Sequence, residues 1–316
     1  MSRLAESISA GRFVVTAELG PPKGTDVTHL LDMAEILRND VHAINVTDQQ
    51  SSVMTLGSLA VCHLLHQRGI EPVFQVTCRD RNRIALQSDL LSAVVLGIEN
   101  VLCLTGDYVT LGDHPQAKPV FDLDSVTLLK AVAELQEGHD LAGKPLQGVP
   151  TFFPGAVVSP VANPSGPQIA KMEKKVEAGA RFFQTQAVYD LTRFEAFVRR
   201  VEYLNVPILV GIILLKSAGM ARFMNANVAG VSVPDQLIEE IGSVPKLDRA
   251  AKSVEIAARL IRALKGMCQG VHIMTLGWEQ YVPQLLREVG LGQGTMQQRT
   301  SEESIGGQGH GNHLEH

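Results

Sequence analysis

A single-domain (β/α)₈ TIM barrel is the α/β fold that this sequence predicts, on three observations. Eight short apolar runs alternate with stretches of helical period, the order left by parallel strands joined through helical crossovers. Most of these runs end in polar or charged clusters, as expected where loops gather at the carboxyl ends of the strands. The Gly-x-Gly-x-x-Gly fingerprint of an open dinucleotide-binding sheet follows none of them. With 316 residues and 45% hydrophobic content, the chain can bury one large core, and such a barrel takes about 250 residues. We assign residues 1–290 to the barrel. The stretch 291–316, rich in Gly, Gln and Ser, reads as a flexible tail, with Leu314-Glu-His316 a cloning remnant.

Residues 1–12 form an amphipathic lead-in with Leu4 and Ile8 on one face. A strand over 13–19 ends at Gly20-Pro-Pro22, which forbids its continuation. Asp26 caps a helix with Leu30, Leu31, Ala34 and Leu37 at helical spacing. The second strand, 41–47, runs into Thr47-Asp-Gln-Gln-Ser-Ser52, and a helix carrying Leu56, Leu59 and Leu64 stops at Gly69. Strand three, 72–78, precedes the charged Arg79-Asp-Arg-Asn-Arg83 and a helix ending near Gly97. Asn100-Val-Leu-Cys-Leu-Thr-Gly-Asp107 is the fourth strand with its functional end, too uniformly apolar to be half exposed. The long loop to Asp124 is a candidate binding loop. A helix follows, then a fifth strand over 149–158, a helix bearing Ile169, Met172 and Val176, and a sixth strand over 181–188. A helix over 191–204 leads to strand seven, 206–215; two or three helical pieces, the last over 248–265, precede strand eight, 270–275.

Composition excludes several classes. The net charge is −5 with interspersed signs, which argues against a nucleic-acid surface. No run approaches the roughly 20 apolar residues of a membrane span, and the amino terminus lacks a signal-peptide core, so the chain reads as cytoplasmic. Cys62, Cys78, Cys103 and Cys268 are isolated in apolar segments and read as buried thiols. His29, His63 and His66 have no ligand-like spacing, so no metal is expected.

The strand ends supply the candidate site: Glu18, Thr47, Asp48, Gln49, Thr77, Arg79, Asp107, Ser159, Asn163, Gln186, Lys216 and Thr275. Glu18, flanked by Val14, Val15, Ala17 and Leu19, should be partly desolvated, a setting that suits a general acid. Gly106 allows close approach to the backbone, and Asp107 puts a charge beside it. Gln186 is either a ligand reader or a satisfied core amide. Lys171, Lys174 and Lys175 form either a solvated helix face or a phosphate contact.

Thr16-Ala-Glu-Leu-Gly-Pro-Pro22, Asn45-Val-Thr-Asp48, Thr77-Cys-Arg-Asp80, Leu104-Thr-Gly-Asp107, Ala178-Gly-Ala-Arg-Phe-Phe-Gln-Thr-Gln186 and Gly211-Ile-Ile-Leu214 together resemble the bacterial methylenetetrahydrofolate reductases. Each motif is weak alone; in register they are specific, and they span nearly the whole barrel. The resemblance implies a flavin, FAD or FMN, at the carboxyl ends of the strands. It implies hydride transfer from reduced flavin to 5,10-methylenetetrahydrofolate, giving the 5-methyltetrahydrofolate of methionine biosynthesis.

By position, the resemblance makes Glu18 and Asp107 catalytic and gives Gln186, Asp107 and Thr275 to the folate. Thr47, Gln75, Thr77, Gly106, Asp107, Ser159, Asn163, Lys171, Lys174 and Lys175 fall at flavin contacts. There are departures. Gln75 replaces a histidine, Thr105 the arginine of the turn, Ser159 and Asn163 a tyrosine and a histidine, and no phenylalanine follows Gly211, where Ala218 lies nearby. The pattern is most similar to reductases of anaerobic bacteria, some of which draw electrons from a partner subunit. The implied donor is therefore NAD(P)H or an electron-transfer subunit in a homo- or hetero-oligomer. A flavin-free pterin barrel for methyl transfer and a non-catalytic subunit of an electron-transfer complex are the alternatives.

Overall fold

A computed structural model describes residues 1–292. Eight parallel strands close on themselves in chain order: β1 (Val14–Leu19), β2 (Ala43–Val46), β3 (Pro72–Thr77), β4 (Asn100–Leu104), β5 (Phe153–Val158), β6 (Phe182–Ala187), β7 (Ile208–Ile213) and β8 (Gly270–Met274). Pairing of β1 with β8, Thr16 opposite His272, completes the ring. The (β/α)₈ expectation is met. Helix α1 (Arg3–Ser9) precedes β1, and α2 (Thr28–Leu37), α3 (Ser58–Gln67), α4 (Arg83–Val95), α5 (Ser125–Gln136), α6 (Gly166–Glu177) and α7 (Leu191–Val201) follow β1 to β6 in turn. Between β7 and β8 lie α8 (Ala218–Asn227), α9 (Asp235–Gly242) and α10 (Arg249–Leu264); α11 (Val282–Glu288) follows β8.

Side-chain alternation along a strand divides the barrel. Along β1, Val15, Ala17 and Leu19 face outward into the core shared with the helices. Val14 instead joins Ala43, Val73, Leu102, Phe182 and Leu209 in an apolar layer inside the barrel, onto which Leu4 of α1 packs. Ser2 caps α1 and donates to Asn100 at 2.6 Å, tying this helix to the amino-terminal end of β4. Gly155 is required here, since a Cβ on it would lie 2.3 Å from the Phe182 ring. Two residues further along β1 from Val14, Thr16 shares a layer with Asn45, Gln184 and His272, all buried. Glu18 follows at the carboxyl end.

The observed strands are shorter than their apolar runs. Val41, Leu214 and Leu215 are buried yet lie outside the ladder, because burial continues where strand pairing has ended. The fifth strand starts at Phe153, with Val149 exposed and Gly148 at φ 93 before it. Asp26 accepts from the Thr28 N–H, but the helix cap is Val27. The helix carrying Leu59 starts at Ser58, after Gly57 in extended backbone, so Leu56 lies before it. Helix α11 went unread in the sequence, although Val282, Leu285 and Leu286 carry its buried face. All four cysteines are buried and unpaired, and no helix among the described residues is long and apolar enough to cross a membrane. Of the stretch 291–316 assigned to a flexible tail, everything after Gly292 lies outside the described residues.

Candidate functional site at the carboxyl mouth

A cleft of about 400 Å³ opens over the carboxyl ends of the strands. Leu102, Leu104, Val157 and Met274 give it an apolar wall, and Glu18, Gln75, Asp107, Gln186 and Lys175 bring polar groups to it. Glu18 is 11% exposed at its side chain. Gln75 Nε2 donates to its Oε2 at 3.2 Å, and Gln50 Nε2 to its Oε1 at 3.4 Å. His272 Nε2 stands 3.5 Å from Oε2. This histidine was missed from the sequence, and its signal was a lone imidazole inside the apolar run Gly270-Val-His-Ile-Met274.

The loop after β2 is fixed from below and from the side. Asp48, buried, accepts a two-pronged guanidinium from Arg81 at 2.8 and 2.9 Å and both the N–H and hydroxyl of Thr77 at 2.8 and 2.9 Å. Such fork-shaped contacts hold geometry as well as charge. Arg79, only 2% exposed, donates to Ser52 Oγ at 2.9 Å and to the Gln49 carbonyl at 3.3 Å. Ser51 N–H donates to Asp107 Oδ2 at 3.0 Å, which ties this loop to the end of β4. Gly106 adopts φ 96, and a Cβ there would lie 2.9 Å from that of Arg79. Only glycine fits both demands.

On the far wall, Lys175 is 4% exposed and donates from Nζ to the Val157 carbonyl at 2.6 Å. Burial first, then the neighbouring Lys171 charge, pulls its ammonium down to about 8. Lys171 lines the cleft beside it, with Gln168, Thr105 and Ser125. Thr105 Oγ donates to Ser125 Oγ at 3.2 Å and accepts the Ser125 N–H, so at the position of the expected arginine it pins the start of α5.

The structure therefore brings together Glu18, Asp48, Gln49, Gln75, Thr77, Arg79, Gly106, Asp107, Ser159, Lys171, Lys175 and Gln186. Five other predicted residues lie apart from this cleft. Lys216 donates to the Leu276 carbonyl and stands over the Trp278 ring. Lys174 is exposed on the outer face of α6, one helical step from the inward Lys175. Asn163 is exposed in the loop after β5. Thr47 is buried with its N–H on the Leu19 carbonyl. Thr275 faces a neighbouring cavity of about 310 Å³ that shares Glu18 and Gln50 with the cleft; its hydroxyl lies 2.6 Å from Glu279 Oε1.

Known proteins are similar to this chain in sequence or in fold. A "Methylenetetrahydrofolate reductase 2" of Schizosaccharomyces pombe is 28% identical over 74% of the chain and 38% of its own length. A "Probable methylenetetrahydrofolate reductase (NADPH)" of Caenorhabditis elegans is 21% identical over 75% of the chain and 35% of its own. The chain thus spans well under half the length of these two relatives. Among solved structures, a protein from Clostridium thermocellum described as binding two copies of 5-methyl-5,6,7,8-tetrahydrofolic acid superposes with a TM-score of 0.59 at 16% identity. That superposition covers 92% of this chain and 97% of that one, which shows the shared fold. The family described as "Methylenetetrahydrofolate reductase" matches residues 3–290, everything from α1 to the end of α11, and the chain belongs to that family.

Proposed function

We propose that the chain is a flavin-dependent 5,10-methylenetetrahydrofolate reductase that forms 5-methyltetrahydrofolate. The observation that carries this reading is the convergence of Glu18, Asp107 and Gln186 on one cleft. These are the positions that the resemblance gives to proton donor, charge stabiliser and pterin contact. The names of the curated relatives support the same activity.

The residues present fit a flavin. The apolar wall of Leu102, Leu104, Val157 and Met274 suits a flat ring system. Lys171 and Lys175 offer positive charge at one end of the cleft, suited to the phosphates of FAD or FMN. The buried Gln49 Oε1 has no hydrogen-bond partner among the described residues, and a bound N–H would satisfy it. When bound, the flavin supplies the reducing equivalent that no side chain can donate.

The chain's own groups do the rest. Glu18 delivers a proton to the nitrogen that departs as the five-membered ring of the substrate opens. Asp107, held by the Ser51 N–H, places negative charge beside the cation that ring opening creates. Gln186 reads the pterin through its amide. Lys174, outside the cleft, takes no part in our assignment.

We also propose that electrons arrive through a partner subunit, as in reductases of anaerobes, rather than from free NADH or NADPH. The motivation is the missing aromatic after Gly211, where a nicotinamide would need a stacking surface. Loaded with FAD or FMN, reduced anaerobically and mixed with 5,10-methylenetetrahydrofolate, the protein should yield 5-methyltetrahydrofolate by mass spectrometry. A colourless protein that binds folate without taking up flavin would instead be a methyl-transfer barrel or a scaffold subunit.

A further inference from the structure

Beneath Glu18 the barrel holds a chain of polar groups that the proposed reaction does not use directly. Asn45, Gln184, Thr16 and His272 are 0%, 1%, 0% and 3% exposed. Asn45 Nδ2 donates to Gln184 Oε1 at 2.8 Å, and Gln184 Nε2 donates back to Asn45 Oδ1 at 3.1 Å. The same Nε2 donates to Thr16 Oγ at 3.2 Å. Thr16 Oγ lies 2.9 Å from His272 Nδ1, and His272 Nε2 faces Glu18 Oε2 at 3.5 Å.

Donor and acceptor counting orders this chain. The carboxylate that Glu18 becomes after proton delivery only accepts, so the imidazole nitrogen facing it at 3.5 Å then needs to carry the hydrogen. A neutral ring protonated at Nε2 has its lone pair at Nδ1, and the single hydroxyl hydrogen of Thr16 must go there. The Thr16 oxygen is then left to accept, and among the described residues the Gln184 amide nitrogen is what donates to it. Asn45 keeps Gln184 from turning alone, because the two carboxamides satisfy each other only as a reciprocal pair. With both amides reversed, Gln184 would take the Thr16 hydrogen, His272 would be protonated at Nδ1, and two acceptors would face each other across the His272–Glu18 gap.

We propose that the Asn45–Gln184 carboxamide pair is a positioning device that locks His272 in its Nε2–H tautomer, two side chains away from the carboxylate it serves. The role in catalysis rests on the reading of Glu18 as the acid. A fixed N–H gives the carboxylate left after proton delivery a donor to accept from, and holds it in place for the next turnover. The locking itself does not depend on that reading.

Nitrogen-15 NMR of the full-length protein at neutral pH tests the lock, with the His272 signals assigned by their loss in His272→Gln. Wild type should show the Nε2–H form. In Gln184→Glu a carboxylate faces Thr16 and takes its hydrogen, so His272 should change to the Nδ1–H form. Gln184→Met, which removes the amide without burying a charge, should give a mixture of both and serves if the first variant does not fold. Nδ1–H in wild type, or a tautomer ratio unchanged in the variants, would overturn the proposal. The functional arm is single-turnover oxidation of the reduced flavoprotein by methylenetetrahydrofolate, which Gln184→Met should slow about tenfold at unchanged flavin affinity. A tautomer shift without that slowing upholds the lock and counts against Glu18 as the acid.

Discussion

Lys175 shows how one side chain is set by its surroundings. It is buried on the inner side of α6, and its ammonium ends on the Val157 carbonyl at the cleft wall. Because its acidity lies at about 8 rather than 10.5, it is charged at neutral pH and neutral in mild base. Flavin affinity should therefore weaken as pH rises through about 8, which fluorescence titration across that range would measure; Lys175→Met should abolish the dependence. The folding linkage has the opposite sign. The unfolded chain binds the extra proton between pH 8 and 10.5, so this group's contribution to stability rises with pH across that window. Lys171→Glu should weaken flavin binding by roughly 1 to 3 kcal/mol, the range for a charged contact. Lys174→Glu, on the exposed face, should leave the dissociation constant unchanged, and equal losses in both variants would contradict the geometry.

Helix α1 packs at the amino-terminal end of the barrel, opposite the mouth that carries the site. Leu4 is wholly buried against the inner apolar layer. Leu4→Ala should cost roughly 2 to 5 kcal/mol in denaturant unfolding, the range for an unfilled core leucine, with flavin affinity retained. The amphipathic pattern of this helix was legible because Leu4 and Ile8 repeat at one helical turn. The strands were legible for the same reason, their apolar runs being continuous where both faces are buried. Their ends were not, since a run such as 206–215 keeps its burial after the ladder stops. The site was legible where a motif ended a strand, as at Glu18 and Asp107. It was illegible where position depends on a helical step, as between Lys174 and Lys175, or on a cross-barrel contact, as at His272. Three-dimensional partners, not local pattern, decide those.

For the whole molecule, the closed ring of parallel strands aims eight carboxyl ends at one mouth, and this is why residues as distant in sequence as Glu18 and Gln186 share a cleft. The proposal that electrons come through a partner predicts slow or absent reduction of the isolated flavoprotein by NADH or NADPH in stopped flow. Reduced viologen should still support turnover, and rapid bleaching by either nicotinamide would remove the partner from the account. The central claim is that this mouth delivers a proton to the folate from Glu18 while the flavin is held separately. Its most direct test is single-turnover oxidation of the reduced flavoprotein by 5,10-methylenetetrahydrofolate, wild type against Glu18→Gln, with the chemical step rate-limiting. The variant keeps the size of the side chain and its capacity for hydrogen bonds but has no proton to release. Flavin binding and reduction by viologen should survive, while oxidation by the folate slows about 10² to 10⁴-fold, the usual worth of general acid catalysis. Oxidation of the variant at the wild-type rate would contradict the account.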